Sequence, residues 1–259
     1  MSRIAIIAGT GLLAPELARR LDAPVVAALE GFAPDLPHQP FRLERLVPFL
    51  DWLEDQGVTR VCFAGAVQRP RLDPEAFDAR TAALVPRILA AMGQGDDGAL
   101  REVIAIFEEA GFAVEGVATL APDLIPGAGI LAGAPTPAAE ADAARAAQIV
   151  SGLGALDLGQ GAVVAGGLCL AVETLPGTEA MLSFVAHHGG RGGVFYKAPK
   201  PGQDRRIDLP TIGPDTVDQA ARAGLSGIAF EAGGVIVLDR DETIRHAEQA
   251  GLFVWAREA

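Results

Sequence analysis

Short apolar runs alternate with amphipathic segments along the first half of the chain. Runs rich in Ile, Val and Ala predict strands, and apolar residues spaced three or four positions apart predict helices. The predicted strands are Arg3–Ala8, Val25–Leu29, Val58–Ala64 and Phe112–Ala118, and the predicted helices are Pro15–Leu21, Leu43–Gln56, Phe77–Met92 and Asp97–Ala110. Because strands joined by helices run parallel in one sheet, this half is predicted to be a Rossmann-like, doubly wound α/β domain.

The pattern changes at Pro122–Pro137, which holds four prolines and three glycines and is typical of a linker. Beyond it, paired strands around Gly166-Gly167 predict a second α/β domain with a mixed sheet. We place the first domain at 1–135, including a linker at about 122–135, and the second at 136–259. Its predicted helices are Ala138–Val150, Thr178–Ala186, Asp215–Ala223 and Glu242–Ala250, and its predicted strands are Ala162–Ala165, Leu168–Leu175, Gly193–Tyr196, Gly227–Leu238 and Phe253–Trp255.

Composition narrows the classes of protein that remain. Half of the 259 residues are hydrophobic and 21% are charged, which excludes global disorder. The net charge of −12 argues against general nucleic-acid binding, which needs clustered Lys and Arg. No apolar run approaches the length of a membrane span, so we expect a cytoplasmic protein, with peripheral membrane contact still compatible with the sequence. Cys62 and Cys169 both lie in apolar runs and are predicted to be buried, reduced thiols.

A glycine-rich turn, Gly9–Ala14, follows the first strand in the pattern G-x-G-x-x-A. Such turns let the backbone approach a phosphate, and the helix that follows offers free N–H groups to an anion. Glu30, at the end of the second strand, stands where a dinucleotide fold places its ribose-binding acid. The motif therefore fits a nicotinamide-dependent oxidoreductase, another phosphate-binding protein, or a purely structural turn started by Pro15.

The segment Lys197–Gly213 is the richest in chemically useful side chains. Between Arg191 and Asp208 the chain has five basic and two acidic residues. The basic side chains could neutralise a diphosphate, and carboxylates there could bind a hard cation. Prolines 199, 201 and 210 stiffen the segment, although a mobile surface loop is the alternative. Nearby acids such as Glu173 and Glu179 could add ligands, or Glu179 could only complement a helix dipole.

The same segment resembles a known family. The run Lys200-Pro201-x-Gln203-Asp204-x-Arg206-x-Asp208-Leu209-Pro210-Thr211-Ile212-Gly213 is similar to the signature of the LpxI-type UDP-2,3-diacylglucosamine pyrophosphatases of lipid A biosynthesis. Leu156-Asp157-x-Gly159-Gln160, Gly95-Asp96-Asp97 and Val67-x-Arg69-Pro70 support the resemblance, which spans nearly the whole chain. The family's Glu-Gly-Thr-Asp stands here as Pro176-Gly177-Thr178-Glu179.

The resemblance implies Mg²⁺-dependent hydrolysis of UDP-2,3-diacylglucosamine to UMP and 2,3-diacylglucosamine 1-phosphate (lipid X). It further implies attack at the sugar-side phosphorus and transient contact with the cytoplasmic face of the inner membrane. It is compatible with a homodimer. No nucleic acid is expected as a partner. A nicotinamide-dependent oxidoreductase and a non-catalytic nucleotide-sugar or lipid-binding protein remain as alternatives. The implied catalytic residues are Asp208, Asp204 and Gln203, the implied metal ligands are Asp208, Glu173 and Glu179, and the implied substrate-binding residues are Gly9, Gly11, Leu12, Ala66, Val67, Arg69, Gln160, Thr178, Lys197, Lys200, Arg206 and Thr211.

Overall fold

The computed structural model describes residues 3–67, 71–93, 96–189 and 192–258. The chain divides into two compact units. Unit 1 is Met1–Ala121 together with Arg206–Asp208, and unit 2 is Pro122–Arg205 together with Leu209–Ala259. A three-residue piece of the Lys197–Gly213 segment is therefore counted with the N-terminal unit, and Ile207 packs against the core of that unit.

Unit 1 is built on a fully parallel sheet with the strand order β3-β2-β1-β4-β5. Its strands are β1 (Arg3–Ala8), β2 (Val25–Leu29), β3 (Gln39–Phe41), β4 (Val58–Ala64) and β5 (Ala113–Val114). Ala8 pairs with Ala28 on one side and Ala64 on the other, so the carboxyl ends of these three strands lie side by side. In a sheet of this order, ligands bind beyond those ends.

Successive residues of a strand point to opposite faces of the sheet. Because apolar residues therefore reach both faces of the unit 1 sheet, helices must cover it. Ala5 and Ile7 of β1 belong to a core cluster with residues of α2 and α5, and Ile4 and Ile6 are buried as well. The helices are α1 (Leu13–Arg20), α2 (Leu46–Asp55), α3 (Ala79–Ala82), α4 (Val85–Met92), α5 (Asp96–Glu109) and α6 (Val117–Leu120).

Three features of unit 1 depart from the predicted elements. Strand β3 was not predicted, and its Pro40 fits an edge strand, where a missing N–H costs no ladder bond. The helix predicted over Phe77–Met92 is two helices, with Pro86 in the first turn of the second. The strand predicted over Phe112–Ala118 is only two residues long, and α6 follows it. The predicted parallel α/β class is confirmed.

Unit 2 contains a six-stranded mixed sheet with the order β6-β13-β11-β9-β7-β8, and a separate parallel pair, β10-β12. Strands β9, β11 and β13 are parallel, and the strands on both sides of them run antiparallel to their neighbours. The strands are β6 (Gly129–Ala132), β7 (Gly161–Ala165), β8 (Leu168–Val172), β9 (Val194–Lys197), β10 (Thr211–Ile212), β11 (Gly227–Glu231), β12 (Ile236–Val237) and β13 (Phe253–Arg257). This sheet confirms the predicted mixed architecture.

Both faces of the unit 2 sheet are packed. Val194 and Tyr196 of β9 contact the apolar stripe of α7, whose small residues Ala139, Ala143 and Ala146 recur at helical spacing. Phe195 and Phe230 face the opposite cluster, to which α8, α9 and α10 contribute. These helices are α7 (Pro137–Ala155), α8 (Gly177–His188), α9 (Pro214–Arg222) and α10 (Arg240–Ala250).

The hairpin between β7 and β8 explains the predicted glycine pair. Gly166 and Gly167 both have positive φ angles, +58° and +78°, which two-residue hairpins favour. Their N–H groups donate to the two carboxylate oxygens of Asp142, at 2.9 and 2.7 Å. Because α7 supplies that almost fully buried acid, the hairpin is fixed to the helix that packs beneath it.

The linker stretch and the two cysteines differ in part from what the sequence predicted. Gly129–Ala132, within the stretch interpreted as a linker, forms edge strand β6 of the unit 2 sheet. Cys62 is buried as predicted, but the prediction for Cys169 was wrong, since it is exposed on edge strand β8. Among the described residues, no helix is both long and apolar enough to cross a bilayer.

Candidate active site

The glycine turn at the end of β1 is joined to the loop after β4. Thr10 and Ala66 exchange two backbone hydrogen bonds of 2.9 and 3.0 Å. A Cβ atom added at Gly9 would lie 2.5 Å from the Ala66 carbonyl oxygen, and one at Gly65 would lie 2.7 Å from that of Thr10. Both glycines are therefore required by the close approach of the two loops. For Gly9 this is a packing role, and its role toward a substrate stays a prediction.

Gly11 differs from Gly9, because it faces open space. Its φ is +94°, and apart from its chain neighbours no atom of the described residues lies within 4 Å of a Cβ built there. Beside it, Leu12 is the N-cap residue of α1 and makes no side-chain capping hydrogen bond, so the first N–H groups of this helix can bind an anion. Leu12 and Val67 are each half exposed, and both were predicted to bind substrate. This edge thus offers backbone N–H groups and apolar side chains.

Not every predicted residue of this region can be placed. Arg69, with Gln68 and Pro70, lies outside the described residues, as does Gly95 of a supporting motif. Ala66 is exposed at the end of the loop after β4.

In unit 2, three predicted residues form one hydrogen-bonded group, here called the Lys197 network: Lys197, Thr178 and Glu173. The Lys197 ammonium donates to Thr178 Oγ1 at 2.6 Å, and the Thr178 hydroxyl donates to Glu173 Oε1 at 2.9 Å. The ammonium lies 3.7 Å from the same carboxylate oxygen. The lysine and glutamate side chains are only 8% and 12% exposed. Burying such groups is tolerable because they are paired with each other.

Glycines seat Glu173 in this network. A Cβ at Gly161 would lie 2.7 Å from Glu173 Oε2, and one at Gly159 would lie 2.0 Å from the Glu173 carbonyl oxygen. The other carboxylate oxygen, Oε2, is buried and accepts no hydrogen bond from the described residues. An unsatisfied buried acceptor is costly, so it marks a place where a donor or cation would be favourable.

A second group forms where the Pro-rich segment leaves β9. Gln160 donates to Gln203 Oε1 at 2.9 Å, and the Lys200 backbone N–H donates to the same oxygen at 3.0 Å. The Lys200 ammonium pairs with Asp157 at 2.5 Å. Three residues predicted from the signature, Gln160, Lys200 and Gln203, are thereby brought together. Asp157 was not predicted as a site residue.

Further charges line the carboxyl edge of the parallel strands. Arg205 Nη2 donates to Glu231 Oε1, at the end of β11, at 2.7 Å. Glu231 is paired in register with Arg257 of β13, and burial raises the pKa of the neighbouring Tyr196 hydroxyl. Sequence analysis missed Glu231 and Arg257. Their signal is a charged residue at the carboxyl end of an apolar run, the same signal that singled out Glu173.

The remaining predicted residues are more scattered. Arg206 pairs with Glu108 at 2.7 Å, and Asp208, in the same unit 1 piece, is half-buried. Asp204 is half-buried in unit 2, and the Thr211 hydroxyl donates to the Leu209 carbonyl at 3.3 Å. Glu179 is exposed in the first turn of α8, where its charge complements the helix dipole.

The predicted metal ligands fall in different units, Asp208 in unit 1 and both glutamates in unit 2. Over the four described ranges, no three His, Cys, Asp or Glu side chains lie close enough together to hold a metal ion by themselves. Mg²⁺ is commonly held by one or two carboxylates plus substrate phosphates rather than by an all-protein cage. Glu173 Oε2, which accepts no hydrogen bond from the described residues, is a carboxylate oxygen that could serve as such a ligand. The metal ligands stay a prediction.

Comparison with known proteins decides the family. The family model described as the LpxI N-terminal domain matches residues 3–124, and the LpxI C-terminal domain matches residues 127–255. The chain is also 41% identical to the UDP-2,3-diacylglucosamine pyrophosphatase LpxI of Caulobacter vibrioides over 271 aligned positions, 98% of this chain and 97% of that protein. The chain belongs to the LpxI family. The resemblance inferred from the signature segment is confirmed.

Membership in the LpxI family changes the weight of the glycine turn. From the sequence alone, the G-x-G-x-x-A pattern and Glu30 fitted a nicotinamide-dependent oxidoreductase as well as another phosphate-binding protein. The family and the relative that match this chain are LpxI proteins, which favours the second interpretation. Because the two LpxI domain models match on either side of residues 125–126, both the glycine turn and the Lys197 network lie in family-matched sequence.

Proposed function

We propose that this chain hydrolyses the diphosphate of UDP-2,3-diacylglucosamine, releasing UMP and lipid X in lipid A biosynthesis. The observation that carries the proposal is 41% identity to a protein named for this activity, maintained over 98% of the chain. Similarity of that extent includes both units, and therefore every cluster of candidate site residues.

The clusters suit a diphosphate for different reasons. The glycine turn and the start of α1 present N–H groups, which bind phosphate oxygens without a side chain. Lys197 presents an ammonium group that Thr178 and Glu173 hold in one position. A cation fixed in advance stabilises charge that develops during phosphoryl transfer without reorganising at the moment of reaction.

Asp208 is the carboxylate that we assign to the attacking water. The water oxygen bonds to the sugar-side phosphorus, the bond from that phosphorus to the bridging oxygen breaks, and the bridging oxygen leaves with UMP. Asp208 orients the water and accepts its proton, while Gln203 holds the segment that leads to it by accepting from Gln160 and from the Lys200 N–H. Asp204, four residues before Asp208, is the second candidate carboxylate. Carrying out hydrolysis in H₂¹⁸O tests the direction of attack: label in lipid X supports it, and label in UMP contradicts it.

We further propose that Mg²⁺ participates, with Asp208, Glu173 and Glu179 as candidate ligands. When bound, the ion would neutralise diphosphate charge. The support is chemical, since carboxylate oxygens and diphosphate oxygens are the donors Mg²⁺ prefers. Loss of turnover in EDTA, restored by Mg²⁺, would support this part of the proposal.

The place of action is proposed from the substrate. A two-chain lipid lies in a membrane, so the protein must reach a membrane surface to meet it, and we propose the cytoplasmic face of the inner membrane. The half-exposed Leu12 and Val67 are apolar side chains beside the glycine turn that could contact the lipid. A homodimer, with which the sequence is compatible, stays untested.

The experiment that tests the function is release of UMP from UDP-2,3-diacylglucosamine by the purified chain. The matched control is a test for NADH binding, measured by the fluorescence of the two tryptophans of the chain. UMP release without NADH binding is the expected result. A chain that binds the lipid substrate but releases no UMP would instead be a sensor.

A further inference from the structure

A pocket in unit 1 has no part in the site described so far. It is a cavity of about 240 Å³ beyond the carboxyl end of β2, and the described residues that line it are two glutamates, two arginines and three leucines. Pockets for drug-sized ligands run to roughly 300–1,000 Å³, so this cavity suits a single sugar or base rather than a whole nucleotide.

The charges of the described lining residues are balanced, which argues against a phosphate as the occupant of the pocket. Glu30 and Glu44 oppose Arg42 and Arg71. Two carboxylates would repel a dianion, whereas a neutral polyol could hydrogen-bond to both kinds of side chain. The pocket therefore fits a sugar better than a phosphate.

The two glutamates are in different situations. Glu44 is 4% exposed, and its carboxylate accepts the Asp73 N–H at 2.8 Å and two bonds from Arg42 at 3.4 Å. Burial opposes its ionisation, but these donors outweigh burial and lower the pKa of Glu44. Glu44 is thus engaged by the protein. The Glu30 side chain is 56% exposed, and among the described residues its ion-pair partner is Arg42, whose Nε lies 3.8 Å away. Glu30 can accept from a ligand.

The backbone fixes Glu30 at this position. Its N–H donates to the Phe41 carbonyl at 2.9 Å, and Gly31, with φ +91°, turns the chain immediately after it. Because Ala28 pairs with Ala8, Glu30 emerges beside the strand that leads into the glycine turn. In doubly wound sheets, an acid at this point hydrogen-bonds ribose hydroxyls while the phosphates lie at the first glycine turn.

We propose that this pocket binds the ribose of the substrate's uridine, with Glu30 accepting hydrogen bonds from its 2′- and 3′-hydroxyl groups. Arg42, between the two glutamates, orients the Glu30 carboxylate. The proposal deepens the proposed function and rests on it, because it takes the ligand to be a uridine diphosphate. It assigns to nucleotide recognition the same acid that first suggested an oxidoreductase.

The test compares UDP with 2′-deoxy-UDP by calorimetry on the full chain. A hydrogen bond from a hydroxyl to a carboxylate contributes about 1.5–3 kcal/mol, which corresponds to a preference for UDP of roughly 10- to 100-fold. Glu30→Ala should weaken UDP binding by at least that factor, because both hydroxyl bonds are lost. It should weaken 2′-deoxy-UDP binding less, because only the bond from the 3′-hydroxyl is lost, and the two nucleotides should then bind equally well. Glu30→Gln, which keeps one acceptor without the charge, should retain part of it.

Glu54→Ala is the matched control, because Glu54 is an exposed glutamate on α2 in the same unit and lies outside the pocket. It should bind both nucleotides as the wild type does. Equal affinities of the wild type for the two nucleotides, no UDP binding, or a preference that survives in Glu30→Ala would overturn the ribose proposal. UMP release by the wild type is measured separately, so failure of the proposed function is recognised independently.

Discussion

The carboxyl edges of the two sheets present different chemistry. In unit 1 the edge is mainly backbone: Thr10 and Ala66 bond to each other, and the exposed side chains beside them, Leu12 and Val67, are apolar. In unit 2 the edge is a set of paired charges, of which Lys197 and Glu173 are the most buried. A surface made of backbone is blocked by adding side-chain atoms, whereas a surface made of charges is lost by removing them.

The largest effect on kcat is expected from substitution of Asp208, one of three residues counted with unit 1 although the chain before and after them belongs to unit 2. Asp208→Ala removes the proposed base, and loss of such a group typically lowers kcat by about 10²–10⁴-fold. The variant should stay folded and still bind lipid substrate, and Asp208→Asn should be similarly slow. UMP release across a Mg²⁺ titration is the measurement. Asp22→Ala, at an exposed unit 1 aspartate, should be normal. A near-normal kcat in Asp208→Ala would move the role to Asp204.

The next effect breaks the charged edge of unit 2. Lys197→Met keeps the length of the side chain and removes its charge, and charge-assisted hydrogen bonds of about 1.5–3 kcal/mol translate into roughly 10- to 100-fold in kcat/KM. Thr178→Val should lose part of this, because Lys197 and Glu173 would no longer share a hydroxyl. Thr178→Ser is the matched control and should restore activity. If valine and serine behave alike, the hydroxyl does not position Lys197.

A smaller effect separates the two glycines of the unit 1 edge. Gly9→Ala places a Cβ 2.5 Å from a backbone oxygen and should lower the melting temperature by several degrees. The Cβ of Gly11→Ala would clash with none of the described residues, but the φ of +94° at this position strains any side chain by about 1–3 kcal/mol. Because the new Cβ would stand where the diphosphate is proposed to approach the turn, Gly11→Ala should raise KM more than Gly9→Ala. Because it avoids the backbone clash made at Gly9, it should lower the melting temperature less. Calorimetry and steady-state kinetics measure both. Equal changes in KM would make the turn purely structural.

The smallest effect concerns the two thiols, which contrast a central strand with an edge strand. Burial raises the pKa of Cys62 to about 12, whereas Cys169 is exposed. Because the thiolate is the form that reacts, iodoacetamide at pH 8 should alkylate Cys169 quickly and Cys62 only after unfolding. Mass spectrometry of the labelled chain, with Cys169→Ala as control, reads out both sites. Labelling of Cys62 in the folded chain would contradict its burial.

Several parts of the fold followed from the sequence because their causes are local. The strands Arg3–Ala8 and Val58–Ala64 were predicted with their observed bounds, since each is an apolar run that ends at a turn. The edge strands β3 and β6 were missed, because only a neighbouring strand, not their own Pro- and Gly-containing sequence, makes them strands. The break in the helix predicted over Phe77–Met92 has a local signal, Pro86 in the first turn of α4, which the helical spacing of apolar residues did not take into account.

The candidate site divides in the same way. The sequence by itself determined the family, through a long signature segment, and the residue types at both sheet edges. Only the tertiary structure decided which of these groups meet: Lys197 with Thr178 and Glu173, Lys200 with Asp157, and Glu30 with Arg42 in the wall of a pocket. These pairs join residues from different elements, and their geometry depends on strand register and turn conformation. A hydrogen bond depends on distances of tenths of an ångström, which periodicity and motif spacing do not encode.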